Sequence, residues 1–195
     1  GAQDMAGNIA TDVSIQNITF DSSAPQLSIT SPLYPTFTND LMVEYSTNEN
    51  LSKGVIFVER TGVPNDSSSP HEVELVDGQL IKSSKISLNL SQQLNLVSNA
   101  VYRIYIEGLD VAGNEGKSDM VESITFDNVP PEISITSPAV ESFINTPVLG
   151  LKANETLSKA TIDWLWESGE ADQIGKHSSV LVGGSLIEGD YPQVN

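Results

Sequence analysis

The residues best suited to chemistry in this sequence are oxygen donors in short turns. The pentapeptide DMAGN at residues 4–8 returns as DVAGN at residues 110–114, 106 positions later. Carboxylates, side-chain amides and backbone carbonyls are the ligands that Ca²⁺ prefers, and it binds about six to eight of them. The same residues also suit a plain turn, because Asp caps nearby amides and Gly-Asn tolerates left-handed backbone. The motif alone leaves both interpretations open.

Motifs of catalysis are missing from the sequence. It contains no nucleophile elbow, no phosphate-binding glycine loop and no zinc-ligand spacing. The two histidines, His71 and His177, stand 106 positions apart, so we expect each to be a polar residue at a strand edge and not part of a shared site. The sequence therefore predicts a protein that is not an enzyme.

The net charge of the chain limits the classes of partner that it can bind. A formal net charge of −17 with only 9 Lys and Arg argues against nucleic acid and against anionic membrane surfaces. Acidity of this kind serves solubility or the binding of divalent cations. The chain has no cysteine and no apolar stretch long enough to insert into a bilayer. We expect it to be a fragment of a longer protein.

An internal repeat organises the whole chain. Sliding the sequence by 106 positions aligns ITFD at 18–21 with 124–127 and SITSP at 28–32 with 134–138 without a gap. The same shift aligns NENLSK at 48–53 with NETLSK at 154–159. A period of this length is too long for a solenoid and has the size of a whole β-sandwich domain.

Each period reads as a series of short strands. In residues 100–108, Tyr102, Ile104 and Ile106 fall on one face of an alternating pattern, as in a half-buried strand. Similar runs complete a set of seven at residues 26–30, 41–47, 53–62, 71–76, 85–90, 100–108 and 120–126. The pattern predicts an all-β fold of tandem immunoglobulin-like Greek-key β-sandwich domains of about seven strands each.

Proline-containing joins mark the expected domain boundaries. Pro130 and Pro131 stiffen the segment between the last strand of one repeat and the first strand of the next. We therefore divide the chain into residues 1–21, the C-terminal hairpin arm of a preceding repeat, residues 22–128, a complete repeat, and residues 129–195, a following repeat truncated after about four strands. One hypothesis is head-to-tail strand exchange, in which residues 11–21 of one molecule complete residues 129–195 of another. The alternative is that the ends of the chain simply do not coincide with domain boundaries.

The repeated turns are predicted to meet at one end of the sandwich, since alternate loops return to the same end. The candidate Ca²⁺ ligands there are Asp21, Asn48, Glu49, Asp110 and Asn114. A cation at this junction with the preceding repeat would neutralise like charges and fix the hinge. The following repeat would use Asp127, Asn154 and Glu155, with its own DxAGN turn beyond residue 195. In the alternative interpretation these residues stabilise only their own turns.

Two tryptophans offer a different kind of site. Trp164 and Trp166 are two residues apart and so share one face of a strand. We expect core packing for Trp164, whereas an exposed aromatic pair can stack on sugars.

Together, the DxAGN turn, a strand ending in ITFD, a proline join, SITSP and NExLSK resemble the tandem bacterial immunoglobulin-like repeats of large cell-surface adhesins. The resemblance implies an extracellular location at the bacterial surface and a role as extender repeats in cell adhesion or biofilm attachment, with neighbouring repeats as partners. It also implies Ca²⁺ at the junctions. The tandem acidic linker of the related cadherin repeats is missing, because FDNVPPE at 126–132 has one Asp, one Asn and one Glu. A glycan- or protein-binding module and an ancillary domain of an extracellular enzyme are the alternatives.

Overall fold

The computed structural model describes residues 1–146 and 148–194, without the side chains of residue 185 and of residues 192–194. The fold is all-β: the described residues form fourteen strands and two short 3₁₀ turns, at Asp77–Gln79 and Gly183–Leu186. The chain divides into a first unit, Gly1–Asn128, and a second unit, Val129–Asn195.

The first unit contains two sheets. The smaller sheet has the order β1 (Leu27–Ser31), β3 (Met42–Thr47), β6 (Ser83–Asn89). The larger sheet has the order β2 (Thr36–Thr38), β9 (Val121–Phe126), β7 (Ala100–Asp110), β4 (Leu51–Arg60), β5 (His71–Glu74), and β8 (Glu115–Lys117) also pairs with β7. All of these pairs are antiparallel except β2 with β9, which is parallel.

One hydrophobic core joins the two sheets, as in a β-sandwich. Val43 and Tyr45 of β3 are fully buried in the same cluster as Ile56 of β4 and Ile124 of β9. The alternation predicted for residues 100–108 is confirmed, since Tyr102, Ile104 and Ile106 are fully buried. Side chains of both sheets therefore interdigitate, and burial of this apolar area is the main stabilising contribution.

A glycine pair lets leucines close one end of this core. Gly54 of β4 lies opposite Gly108 of β7. A Cβ at Gly54 would lie 2.7 Å from Leu75 Cδ1, and one at Gly108 would lie 3.2 Å from Leu51 Cδ1. The leucine side chains thus fill the space that side chains at these two positions would occupy.

Two short strands of the first unit are not in the sequence prediction. β2 has three residues, and its Phe37 side chain is largely exposed, so it lacks the apolar alternation that marks a strand. β8 is the short return arm of the hairpin that turns at DVAGN, and it consists of the polar residues Glu115, Gly116 and Lys117. Period-2 patterning cannot identify strands of this length.

The second unit repeats part of the first at the 106-residue spacing. β10 (Ile133–Ser137), β11 (Leu149–Ala153) and β14 (Gly189–Val194) form one sheet, while β12 (Thr161–Leu165) pairs with β13 (Lys176–Val180). The sequence prediction counts about four strands in this segment, and β14 is a fifth. The buried part of its core is small and consists of Leu149, Leu151 and Leu181. Ile133 is 52% exposed, whereas Leu27 at the equivalent position of the first unit is 7% exposed.

The first 26 residues form no regular strand apart from a bridge between Gln3 and Ile9. Ile18 and Phe20 are 74% and 89% exposed, although their equivalents Ile124 and Phe126 are buried in the core. Strand exchange between two chains stays a prediction.

Candidate functional site

Three carboxylates converge in the first unit. Asp21 precedes β1, Glu49 lies between β3 and β4, and Asp110 ends β7. One ligand oxygen of each lies within 4.8 Å of the other two. Among the residues that the structure describes, this is the only group of three or more His, Cys, Asp or Glu side chains with such spacing. The loop positions predicted from strand order therefore do come together.

The Asp110 side chain is already part of its own turn. Its Oδ1 accepts the backbone N–H of Asn114 at 2.8 Å, and its Oδ2 accepts the Asn114 side-chain amide at 2.7 Å. The side-chain bond from Asn114 is the main reason that the pKa of Asp110 lies below its ordinary value, with burial opposing it and backbone N–H groups assisting. Asp110 is therefore ionised at neutral pH, at 1% exposure.

The copy of this turn at residues 4–8 has the same bonds. Asp4 accepts the Asn8 backbone N–H at 2.9 Å and the Asn8 side-chain amide at 2.7 Å. The side-chain bond from Asn8 is again the main cause that lowers the pKa of Asp4. In both copies the aspartate caps its own turn. Asp4 is exposed, and it belongs to no group of converging carboxylates among the described residues. Convergence with Glu49 and Asp21 is particular to Asp110.

The asparagine side chains of the predicted site form hydrogen bonds with backbone groups. Asn48 Oδ1 accepts the N–H of Gln26 at 2.8 Å, which fixes the chain at the start of β1. Asn154 does the same for Glu132 at 2.8 Å in the second unit. The Asn114 amide donates both to Asp110 and, at 3.2 Å, to the carbonyl of Asp21. These side chains therefore position the chain around the carboxylates.

The remaining predicted ligands divide between the two units. Asp127 lies in the first unit, where its carboxylate accepts the Ser98 hydroxyl at 2.6 Å and its N–H donates to Thr38. Glu155 lies with Asn154 in the second unit, between β11 and β12.

The geometry of the three carboxylates suits a hard cation. Oxygens that share a Ca²⁺ bond it at about 2.3–2.6 Å, so they lie at most about 5 Å apart, which matches the observed grouping. Within the described part of the chain, none of the ion pairs includes Asp21, Glu49 or Asp110. The three negative charges repel one another, and a divalent cation bound between them would relieve that repulsion.

Sequence reasoning missed a second polar cluster. Asp66 Oδ2 lies 2.7 Å from Nε2 of His71 and accepts the Tyr102 hydroxyl at 2.7 Å, and all three residues are buried. The Tyr102 oxygen in turn accepts the N–H of Val97 at 2.9 Å. The cluster thus ties the loops after β4 and β6 to β7.

Burial and hydrogen bonding shift the pKa values of Asp66 and Tyr102 in this cluster. Burial disfavours the ionised form of Asp66, but hydrogen bonds from Tyr102 and His71 outweigh it and hold the pKa of Asp66 below its ordinary value. Burial, together with the bond to Asp66, raises the pKa of Tyr102 to about 12, with Arg60 opposing. Asp66 is therefore the ionised acceptor and Tyr102 the neutral donor at neutral pH.

His71 does lie on an edge strand, β5, but it is buried and paired. The pair recurs at Asp172 and His177, also at 2.7 Å, in a more exposed setting. The repeated spacing of five residues between Asp and His was the available clue. The sequence could not show that Tyr102 completes the cluster.

The tryptophans of the second unit have different surroundings. Trp164 packs against the cluster of Leu149, Leu151 and Leu181, as predicted for a core residue. Trp166 is 45% exposed, and its indole N–H donates to the carbonyl of Glu170 at 3.0 Å. A pair of exposed aromatic rings is therefore not formed.

Comparison of the chain with protein-family models, with curated proteins and with solved structures finds no match. In the described ranges, no helix has the length and apolar character of a membrane span.

Proposed function

We propose that this chain consists of extender repeats of a bacterial cell-surface adhesin, each an immunoglobulin-like Greek-key sandwich, that act in cell adhesion or biofilm attachment. The observation that carries the proposal is the structural duplication. β1 pairs with β3 through Leu27 and Thr47, and β10 pairs with β11 through Ile133 and Ala153, 106 residues later. Both pairs have a register shift after the equivalent residue, Ile29 or Ile135.

The strand order supports the immunoglobulin-like assignment. The first two long strands of the unit, β1 and β3, share a sheet with β6, whereas β4, β5, β7 and β9 lie in the other sheet. The chain thus crosses between the two sheets after each of β1, β2, β3, β5 and β6, as in a Greek-key sandwich. Successive copies of such a domain suit a spacer, because each adds length without requiring a binding site of its own.

A Ca²⁺ ion bound by Asp21, Glu49 and Asp110 forms part of the proposal. Asp21 lies in the segment that leads into β1, while Glu49 and Asp110 belong to the body of the first unit. An ion shared by the three would fasten that segment to the sandwich and stiffen the chain where one repeat follows another. The site supplies three carboxylates, so water or backbone carbonyls would complete the coordination shell.

An extracellular location at the bacterial surface follows from this role. A chain with a net charge of −17 and no cysteine suits an environment that supplies divalent cations and requires no disulfide framework. The proposal includes no catalytic activity and no nucleic-acid partner.

Single-molecule extension of the 195-residue chain tests the extender role. We expect a discrete unfolding event from the first unit that releases roughly 350 Å of chain, since about 100 residues extend to about 3.3–3.6 Å each. A glycan array probed with the same chain should give no specific capture. Specific capture of a sugar, or extension without a discrete event, would contradict the extender role and favour a binding module.

A further inference from the structure

A short segment leading into β1 is held against the hairpin that turns at DVAGN. We call residues 21–26 the linker strap. Near its end, Pro25 is buried against Gly116 of β8. A Cβ at Gly116 would lie 2.1 Å from the carbonyl oxygen of Pro25 and 2.9 Å from its Cγ. The backbone of Pro25 therefore occupies the place where any other residue at 116 would carry its side chain.

Side-chain amides fasten both ends of the linker strap. At its start, the carbonyl of Asp21 accepts the Asn114 amide at 3.2 Å. At its end, Gln26 donates its N–H to Asn48 Oδ1 at 2.8 Å and accepts the Asn48 N–H at 3.3 Å. The strap is thus held at its start, by Asp21, and at its end, by Pro25 and Gln26, and none of these contacts requires an ion.

We infer that Gly116 is a positioning residue that allows the linker strap to dock and so places Asp21 beside Glu49 and Asp110. The direction in which the chain enters the repeat is then set by the repeat itself, before a cation binds. The consequence for an extender rests on the proposed function, whereas the docking rests on the contacts alone.

The other copy of the hairpin shows that a DxAGN turn does not require glycine at the position equivalent to 116. Residue 10 is alanine where residue 116 is glycine, although both follow a DxAGN turn. The substitution Gly116→Ala therefore gives the second hairpin a residue that the first already has. Gly78, which would meet no atom within 4 Å, provides a matched control through Gly78→Ala.

Amide exchange measured by NMR on the 195-residue chain, in chelator, tests the inference. In Gly116→Ala we expect the Gln26 amide to exchange about tenfold faster or more, with the core amides of Ile56 and Ile104 unchanged. Asn48→Ala, which removes the acceptor of the Gln26 N–H, should have the same local effect without a clash. Gly78→Ala should leave Gln26 unchanged. In calcium titrations, Gly116→Ala should bind about tenfold more weakly than the unaltered chain, because Asp21 is no longer held in place.

Two results would overturn the inference. Unchanged protection of Gln26 in both Gly116→Ala and Asn48→Ala would show that the strap is not held by these contacts. Equal loss of protection at Gln26 and at the core amides in both variants would show a general structural role. If the unaltered chain binds no calcium but Gly116→Ala and Asn48→Ala show the local effect in chelator, the cation proposal fails and the docked strap stands.

Discussion

Replacing Asp66 with alanine should destabilise the first unit by about 2–6 kcal/mol, because each of two buried donors left without a partner costs about 1–3 kcal/mol. Asp66 is the common acceptor for Tyr102 and His71, and both donors are buried. Without the carboxylate they lose their hydrogen bonds and cannot turn to water. The loss is measured as the change in the free energy of unfolding in a urea titration. Exchange of the Ile104 and Ile106 amides gives a second measurement that is specific to the first unit.

A matched control comes from the second unit. Asp172 makes the same 2.7 Å contact with His177, but the side chain of His177 is 53% exposed. Water can replace the lost bond there, so Asp172→Ala should change the unfolding midpoint little. Trp164 and Trp166, the only two tryptophans of the chain, report on this unit by fluorescence. Equal effects of the two substitutions would contradict the buried cluster.

The contribution of Asp66 to the free energy of unfolding should decrease in acid. The folded-state pKa of Asp66 lies below the unfolded value of 3.8, so its ionised form stabilises the fold at any pH above that value. This contribution is lost as the pH falls through the folded pKa. The difference in unfolding free energy between the unaltered chain and Asp66→Ala should therefore narrow as the pH is lowered below about 4. A difference that grows in acid would contradict the assignment.

Ile56→Ala should cost about 2–5 kcal/mol, as expected for truncating a fully buried isoleucine in a closed core. Ile56 lies opposite Ile106 in β7 and Val73 in β5, so the lost methyl groups leave a cavity between three strands. The free energy of unfolding of the first unit measures the effect.

Ile162→Ala is the equivalent change in the second unit. Ile162 is only half-buried against a smaller cluster, so surrounding water reaches the site and less transfer free energy is lost. We expect Ile162→Ala to lower the free energy of unfolding by less than half as much as Ile56→Ala. Tryptophan fluorescence follows the unfolding of the second unit. Similar costs at the two positions would contradict the difference in packing between the units.

The features that sequence predicted well are local or follow from strand order. The alternation at Tyr102, Ile104 and Ile106 needs only the period of a strand. The convergence of Glu49 with Asp110 follows from the rule that alternate loops lie at the same end of a sandwich. The alternation and the convergence of the loops can both be predicted without knowledge of the exact packing.

The features that escaped prediction depend on the path of loops in space. Asp66 and Tyr102 are 36 residues apart and meet because the loop after β4 folds back over the end of the core. Gly116 matters because the carbonyl oxygen of Pro25 lies where a Cβ at position 116 would be, 2.1 Å from it. Asn48 and Asn114 are predicted metal ligands, and this stays a prediction; the structure adds their hydrogen bonds to backbone and to Asp110. Composition and spacing do not show which hydrogen bonds an amide has already made.

Thermal unfolding of the first unit in Ca²⁺ and in chelator tests the proposed role most directly. A site of the affinity usual for extracellular modules, about 10⁻⁴ M, should raise the midpoint by about 5 °C or more at 10 mM Ca²⁺. Glu49→Gln should abolish most of this shift, whereas Glu74→Gln on the exposed face of β5 should preserve it. Calorimetry should give one ion for Asp21, Glu49 and Asp110. An unchanged midpoint together with no heat of Ca²⁺ binding would contradict a cation-stiffened repeat.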